Sequence, residues 1–95
     1  MQRGIRQIRD KIRTEEYDLT IHARSEMEED NLMVSDVETA ILNGQIRRRE
    51  RDLLRRTKYV IEGLSLDGRP VGVVGRFTET GFFLIITVYE ITEEV

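Results

Sequence analysis

The sequence predicts an α+β fold, with N-terminal helices packed on a four-stranded antiparallel β-sheet. Three observations predict it. Apolar residues recur at helical spacing up to Gly44 and in strand-like runs beyond it. Ser35-Asp36-Val37-Glu38 has the spacing of a helix capping box shortly before that change. Asp67-Gly68 stands between two β-rich runs, a strong two-residue hairpin signal. Helices first and strands afterwards are the pattern of a layer of helices on one face of an antiparallel sheet.

Taken in order, residues 3–15 read as a helix, because Ile5, Ile8 and Ile12 form a narrow apolar stripe among charges. Tyr17-Asp18-Leu19 reads as extended. Thr20 is the expected N-cap of a second helix running to about Asp30, with Ala23 and Met27 on one face. Asn31 marks its end, and Leu32 and Val34 are expected to pack inward. In the third helix Ser35 is the expected cap, Val37, Ala40 and Ile41 the buried stripe, and Asn43-Gly44 a left-handed stop. Strands are expected at about 45–52, 58–66, 69–77 and 82–91, with a turn over Thr78 to Gly81. Pro70 lacks an amide proton, so its strand begins there or lies at an edge. The last strand is apolar on both faces (Phe82, Leu84, Ile86 and Val88 against Phe83, Ile85, Thr87 and Tyr89), as a well-covered central strand would be.

Ninety-five residues correspond to one domain, 1–95, with a modest core. There is no cysteine, so neither a disulfide nor a thiolate metal site supports the fold, and a cytoplasmic setting is expected. The Arg-rich N-terminus lacks the apolar run of a signal peptide, and no segment reaches the roughly 18 apolar residues of a membrane span. Net charge is −3, which excludes a globally basic nucleic-acid binder. The charge is uneven, however. Residues 45–58 hold Arg47, Arg48, Arg49, Arg51, Arg55, Arg56 and Lys58 against Glu50 and Asp52, a local excess of five positive charges. Such a segment suits an anionic ligand or an acidic partner.

Three groups could carry chemistry. His22, the only histidine, falls in the first turn of its helix and could act as a general acid or base. The alternative is that it tethers that helix to a sheet carbonyl. Strand alternation places Gln45, Arg47, Arg49 and Arg51 on one face at about 6.6–6.8 Å intervals, near the spacing of phosphates along a nucleic-acid strand. The alternatives for this strand are edge protection by charge and docking of an acidic partner. Arg76, Thr87 and Tyr89 are expected to line a sheet surface with Lys58, where Tyr could stack on a base; otherwise Tyr89 is a boundary residue and Arg76 pairs with a carboxylate. No CxxC, HExxH, GxxxxGK[ST], GxSxG or GxGxxG is present, so no cofactor is expected. One His without Cys argues against a transition metal. The acidic run Glu26, Glu28, Glu29 and Asp30 reads as a solvated helix face rather than a Mg²⁺ site.

Tyr17-x-x-Thr20-x-His22-Ala23-Arg24-x-x-Met27, the Ser35 helix ending in Asn43-Gly44, Lys58 to Gly63, Asp67-Gly68-Arg69-Pro70-Val71 and Ile85 to Tyr89 occur in an order that resembles domain of unknown function 4258. The resemblance covers about residues 17–91 and leaves the first helix, 1–16, outside. Members look like small bacterial toxins of the RelE and BrnT type, some paired with zinc-finger antitoxins. It therefore implies a metal-independent endoribonuclease of a toxin–antitoxin module, with RNA as substrate and an antitoxin protein as partner. On this reading Arg47, Arg49, Arg51 and Lys58 hold RNA phosphates, and His22, Arg76 and Tyr89 are the catalytic candidates. The alternative is a non-catalytic protein-interaction or nucleic-acid-binding domain.

Overall fold

The computed structural model describes residues 3–92. The order is α1 (Ile5–Arg13), β1 (Tyr17–Leu19), α2 (Ile21–Glu29), α3 (Val34–Asn43), β2 (Gln45–Arg51), β3 (Thr57–Leu64), β4 (Pro70–Phe77) and β5 (Phe83–Glu90). The strands form one sheet in the order β1-β5-β4-β3-β2. The α+β class holds, but the sheet has five strands and is mixed, because β1 joins β5 in parallel. Three residues are too few to show an alternating pattern, so this strand reads only as extended chain in the sequence. The β5 edge recruits it: Phe83 N–H donates to Glu16 O at 3.0 Å, and Thr20 N–H to Ile85 O at 3.0 Å.

All three helices lie on one face. Ile8 and Ile12 of α1, Ala23 and Met27 of α2, and Val37, Ala40 and Ile41 of α3 pack with Ile61, Val71, Val73, Phe83, Ile85 and Val88 of the sheet. Thr20 caps α2 as expected. Its hydroxyl accepts from Ala23 N–H at 3.0 Å and donates to Ile86 O at 3.1 Å, so one side chain both starts the helix and ties it to β5. Asn31, at φ 53°, turns the chain out of α2.

The third helix differs from expectation at both ends. It begins at Val34, and the cap is Met33, whose N–H donates to Asp36 Oδ2 at 2.9 Å. Asp36 prevails over Ser35 because its other oxygen also accepts Leu66 N–H, at 3.1 Å, from the β3–β4 loop. Gly44 is extended, at φ −88°, rather than left-handed. Its role is close approach: a Cβ there would sit 2.4 Å from Ala40 O and 2.6 Å from Glu62 O. At Gly63 it would sit 1.9 Å from Ala40 O. Both glycines let the end of α3 rest directly on β3. Asn43 completes the seam, its amide donating to Leu64 O and accepting from Leu64 N–H, each at 2.8 Å.

The hairpin at Asp67-Gly68 is present, though longer than two residues. Ser65 N–H donates to Arg69 O at 2.8 Å, closing a loop over Leu66, Asp67 and Gly68, with Gly68 at φ 83°. Pro70 is the first residue of β4, where no ladder amide is required. The acidic run on α2 is only partly a solvated face. Beyond β1 the edge of β5 is covered by α2, where Glu26 Oε1 accepts Val88 N–H at 3.1 Å and Asp30 Oδ2 accepts Glu90 N–H at 3.0 Å. Glu28 and Glu29 remain exposed.

Candidate nucleic-acid interface

The arginine strand is β2, at the free edge of the sheet. The alternation expected for Gln45, Arg47, Arg49 and Arg51 is broken by a bulge: Ile46 pairs with Ile61 but Arg48 pairs with Val60, leaving Arg47 as the extra residue. After the bulge the faces exchange. Arg47 and Arg48 lie with the side of the sheet away from the helices, where Arg47 Nε meets Glu62 at 3.1 Å and Arg48 Nε meets Glu50 at 2.9 Å. Arg49 turns to the helix side, stacks over the Tyr59 ring at 5.5 Å and donates to Arg3 O at 3.3 Å. Arg51 donates to Arg55 O at 3.1 Å. Arg47, Arg49 and Arg51 therefore do not form a single-faced ladder.

Arg49 belongs to an aromatic stack on the helix side. Tyr59 and Phe77 meet edge-to-face at 5.7 Å, as do Phe77 and Phe83 at 5.3 Å, and Arg3 lies over Phe77 at 4.3 Å. Two guanidinium groups thus close the end of the core by cation–π contact.

Among the described residues, the opposite face of the sheet carries no helix. Pairing of Val60 with Val74, Val74 with Thr87, Gly72 with Tyr89 and Arg76 with Leu84 puts these residues on that face, with Lys58 and Glu62. Val60 is fully buried there, outside the helix-side cluster. Lys58, Arg76 and Tyr89 share the surface, as expected. Lys58 and Arg76 make no ion pair or side-chain hydrogen bond among the described residues. Gly72 lets the Tyr89 ring lie against the sheet, since a Cβ there would be 2.2 Å from Tyr89 Cζ. Four residues separate Gly72 from Arg76 along β4, so Tyr89 and Arg76 lie about 13 Å apart, roughly two nucleotide steps. Arg76 also lines a shallow cleft of about 520 Å³ with Arg56, Phe77, Thr78, Glu79 and Thr80.

His22 stands apart from this face, on α2, with its side chain 68% exposed. Its Nε2 lies 3.3 Å from Glu26 Oε1, the oxygen that holds the Val88 amide. It therefore does not tether α2 to a sheet carbonyl; Thr20 does that. The structure brings Arg76, Tyr89 and Lys58 onto one surface and leaves His22 beside a carboxylate on the helix at the β5 edge.

Two polar constellations escaped the sequence reading. Tyr17 Oη donates to Glu38 Oε2 at 2.5 Å, and partial burial, followed by that carboxylate, pushes the phenol well above its ordinary range. Arg69 donates to Asp30 O at 2.9 Å and Asn31 O at 3.0 Å, and meets Asp67 at 3.0 Å, Glu90 at 3.5 Å and Asp36 at 3.8 Å. It joins the end of α2, the start of α3 and the β3–β4 loop. The Ser65 hydroxyl, then Arg69, holds the Asp67 carboxyl below its usual range. Asp-Gly-Arg-Pro was visible as a turn, but the carbonyls that Arg69 holds, those of Asp30 and Asn31, lie more than thirty positions away. Among the described residues, no group of three or more His, Cys, Asp or Glu is arranged to hold a metal ion, and no helix is long and apolar enough to cross a membrane.

Fold and surface together define a small α+β domain with a helix-covered face, an open face bearing unpaired cations, and an arginine-rich free edge. Residues 19–90 match the family model described as Domain of unknown function (DUF4258), and the chain belongs to that family. No curated protein and no solved structure matches it.

Proposed function

We propose that this domain binds single-stranded RNA across the open face of its sheet and, as the resemblance to RelE- and BrnT-type toxins implies, cleaves it without a metal. What carries the reading is the pair of unpaired cations, Lys58 and Arg76, on the same surface as the partly exposed Tyr89. Lys58 and Arg76 face each other across neighbouring strands and together attract a phosphate, and the Tyr89 ring, about 13 Å along the same face, offers a stacking platform for a base. Cleavage on this face is attack of a ribose 2′-oxygen on the adjacent phosphorus. The bond to the 5′-oxygen breaks and that oxygen takes a proton from water, leaving a 2′,3′-cyclic phosphate and a 5′-hydroxyl. Arg76 stabilises the charge that builds on the phosphoryl oxygens. His22, oriented by Glu26, takes the 2′-proton if the strand crosses the β5 edge towards α2. The setting is cytoplasmic, with an antitoxin protein as partner.

The test is fluorescence anisotropy with a short labelled RNA over a salt series. Arg76→Gln and Lys58→Gln should each weaken binding and lower the log–log salt slope by about 0.7, the value for one phosphate contact on a single strand. Unchanged affinity and slope in the double variant would remove the open face as an RNA surface. Product analysis in EDTA then tests cleavage separately. A 5′-phosphate product, or loss of activity with chelator, would remove the metal-independent route and leave a binding domain.

A further inference from the structure

The two edges of the sheet are treated differently. The β5 edge is closed by β1 and then by α2, whose Glu26 and Asp30 take the free amides. Among the described residues, the β2 edge, seven residues long, pairs with no further strand. Asp52 N–H donates to Arg56 O at 3.0 Å, which fixes the phase of the β2–β3 ladder. Counting back through alternating pairs, the N–H and C=O of Arg51 and Arg49 point outward, away from β3. Beyond β2 the hairpin tip holds Leu53, wholly exposed, and Leu54, 71% exposed. They line a cleft of about 640 Å³ with Arg51, Asp52, Arg56 and Lys58. Arg56 is committed to Asp52 at 2.7 Å, whereas Lys58 is unpaired and Arg51 bonds only a carbonyl.

Charge alone would explain an edge kept from aggregating. It does not explain two adjacent leucines presented to water at the end of that edge, in a loop built to hold them there. Asp52 accepts the amides of both Leu54 and Arg56 at 2.9 Å, with Arg55 at φ 62°. We propose that β2 and the cleft at its tip dock an extended acidic segment of a partner protein, which adds to the sheet as a strand alongside β2. Its backbone would pair with the outward groups of Arg49 and Arg51. Its carboxylates would face the arginine side chains, and an apolar side chain would seat against Leu53 and Leu54. Backbone pairing supplies affinity and alternate side chains supply specificity in this mode of recognition. RNA would satisfy the cations but neither the leucines nor the outward amides, so a peptide is favoured here. The site shares Lys58 with the open face proposed for RNA and is otherwise distinct from it.

The test uses the full chain, ¹⁵N-labelled, and an acetylated peptide of the same length as β2 in which Glu alternates with Leu. Binding should shift the amide resonances of residues 47–58 and leave those of Gly72 and Arg76 in place. N-methylation of alternate peptide amides should weaken it about tenfold or more, as should Lys in place of Glu. Leu53→Ser with Leu54→Ser should do the same while leaving RNA binding intact, because neither leucine lies on the open face. Conversely, Arg76→Gln should weaken RNA binding and spare the peptide, so the two readings fail separately. Three outcomes would overturn the proposal: no peptide binding, equal binding of the N-methylated peptide, or capture of RNA or anionic vesicles through Leu53 and Leu54 in preference to the peptide.

Discussion

Gly63→Ala tests the seam between α3 and β3. The added Cβ would lie 1.9 Å from Ala40 O, 1.5 Å short of ordinary contact at 3.4 Å, and 2.8 Å from Asn43 Oδ1. The obstructing atom is helix backbone, so α3 has to lift rather than a side chain rotate. A gap of 0.5–1 Å already forfeits a quarter to a half of the dispersion well. Val37, Ala40 and Ile41 are at most 1% exposed on the underside of α3, and their burial is worth about 6 kcal/mol together. Losing half gives about 3 kcal/mol, or roughly 12–24 °C in Tm for a domain of this size. Urea unfolding followed by circular dichroism measures it. Gly68→Ala is the comparison: φ is 83° with nothing within 4 Å, so only backbone strain of about 1–2 kcal/mol applies. A Gly63→Ala loss below about 0.5 kcal/mol, or one no greater than that of Gly68→Ala, would refute the close-approach account.

The other expectations are smaller in scope. Asp36→Ala leaves Met33 and Leu66 N–H without their acceptor and Arg69 without the most distant of its three carboxylates, and should cost about 2–3 kcal/mol by urea unfolding. Tyr17→Phe should lose about 1–2 kcal/mol. Because the folded phenol holds its proton above the ordinary value near 10, the native protein keeps this contribution below about pH 10 and loses it as pH rises further. The Phe variant should lack that alkaline limb, which a pH series of denaturation curves would show. Glu26→Ala should speed hydrogen exchange at the Val88 amide, measured by NMR, since that edge group loses its acceptor. His22→Ala should change stability by less than about 0.5 kcal/mol while lowering RNA cleavage by ~10²–10⁴; a fall in Tm with proportionate loss of activity would make His22 structural.

The features legible in the sequence were those set by neighbours. Thr20 as a cap, the Ile8–Ile12 stripe, the strand start at Pro70 and the turn at Gly68 each depend on residues within a few positions. What stayed hidden depends on distant partners. Asp36 displaces Ser35 as the capping group because Leu66, thirty positions on, also needs its oxygen. Glu26 and Asp30 read as solvated because nothing nearby shows that α2 lies along a strand edge sixty positions away. Asn43-Gly44 has the composition of a left-handed stop, yet both residues are fixed by contact with β3. For the candidate site, grouping of Lys58, Arg76 and Tyr89 was legible because alternation holds along β3, β4 and the end of β5, although a bulge at Ile86 exchanges the faces expected for β5 and puts Phe83 and Ile85 on the same side as Val88. The arginine ladder was not, because one unpaired residue at Arg47 inverts everything after it.

The unequal edges also govern how copies of the molecule can associate. A sheet with two free edges can add copies at both ends and grow into a fibre. Here the other end is the three-residue β1, with α2 taking the β5 amides beyond it, so the long edge open to strand-to-strand contact between copies is β2. Such a contact uses the same surface twice and closes as a two-fold pair, with no end left to extend. It also sets Arg47, Arg48, Arg49 and Arg51 of one copy beside those of the other. At low ionic strength mutual repulsion keeps the molecules apart, and polyvalent anions or high salt bring them together. Any assembly through β2 is therefore expected to be favoured by salt and to stop at a pair.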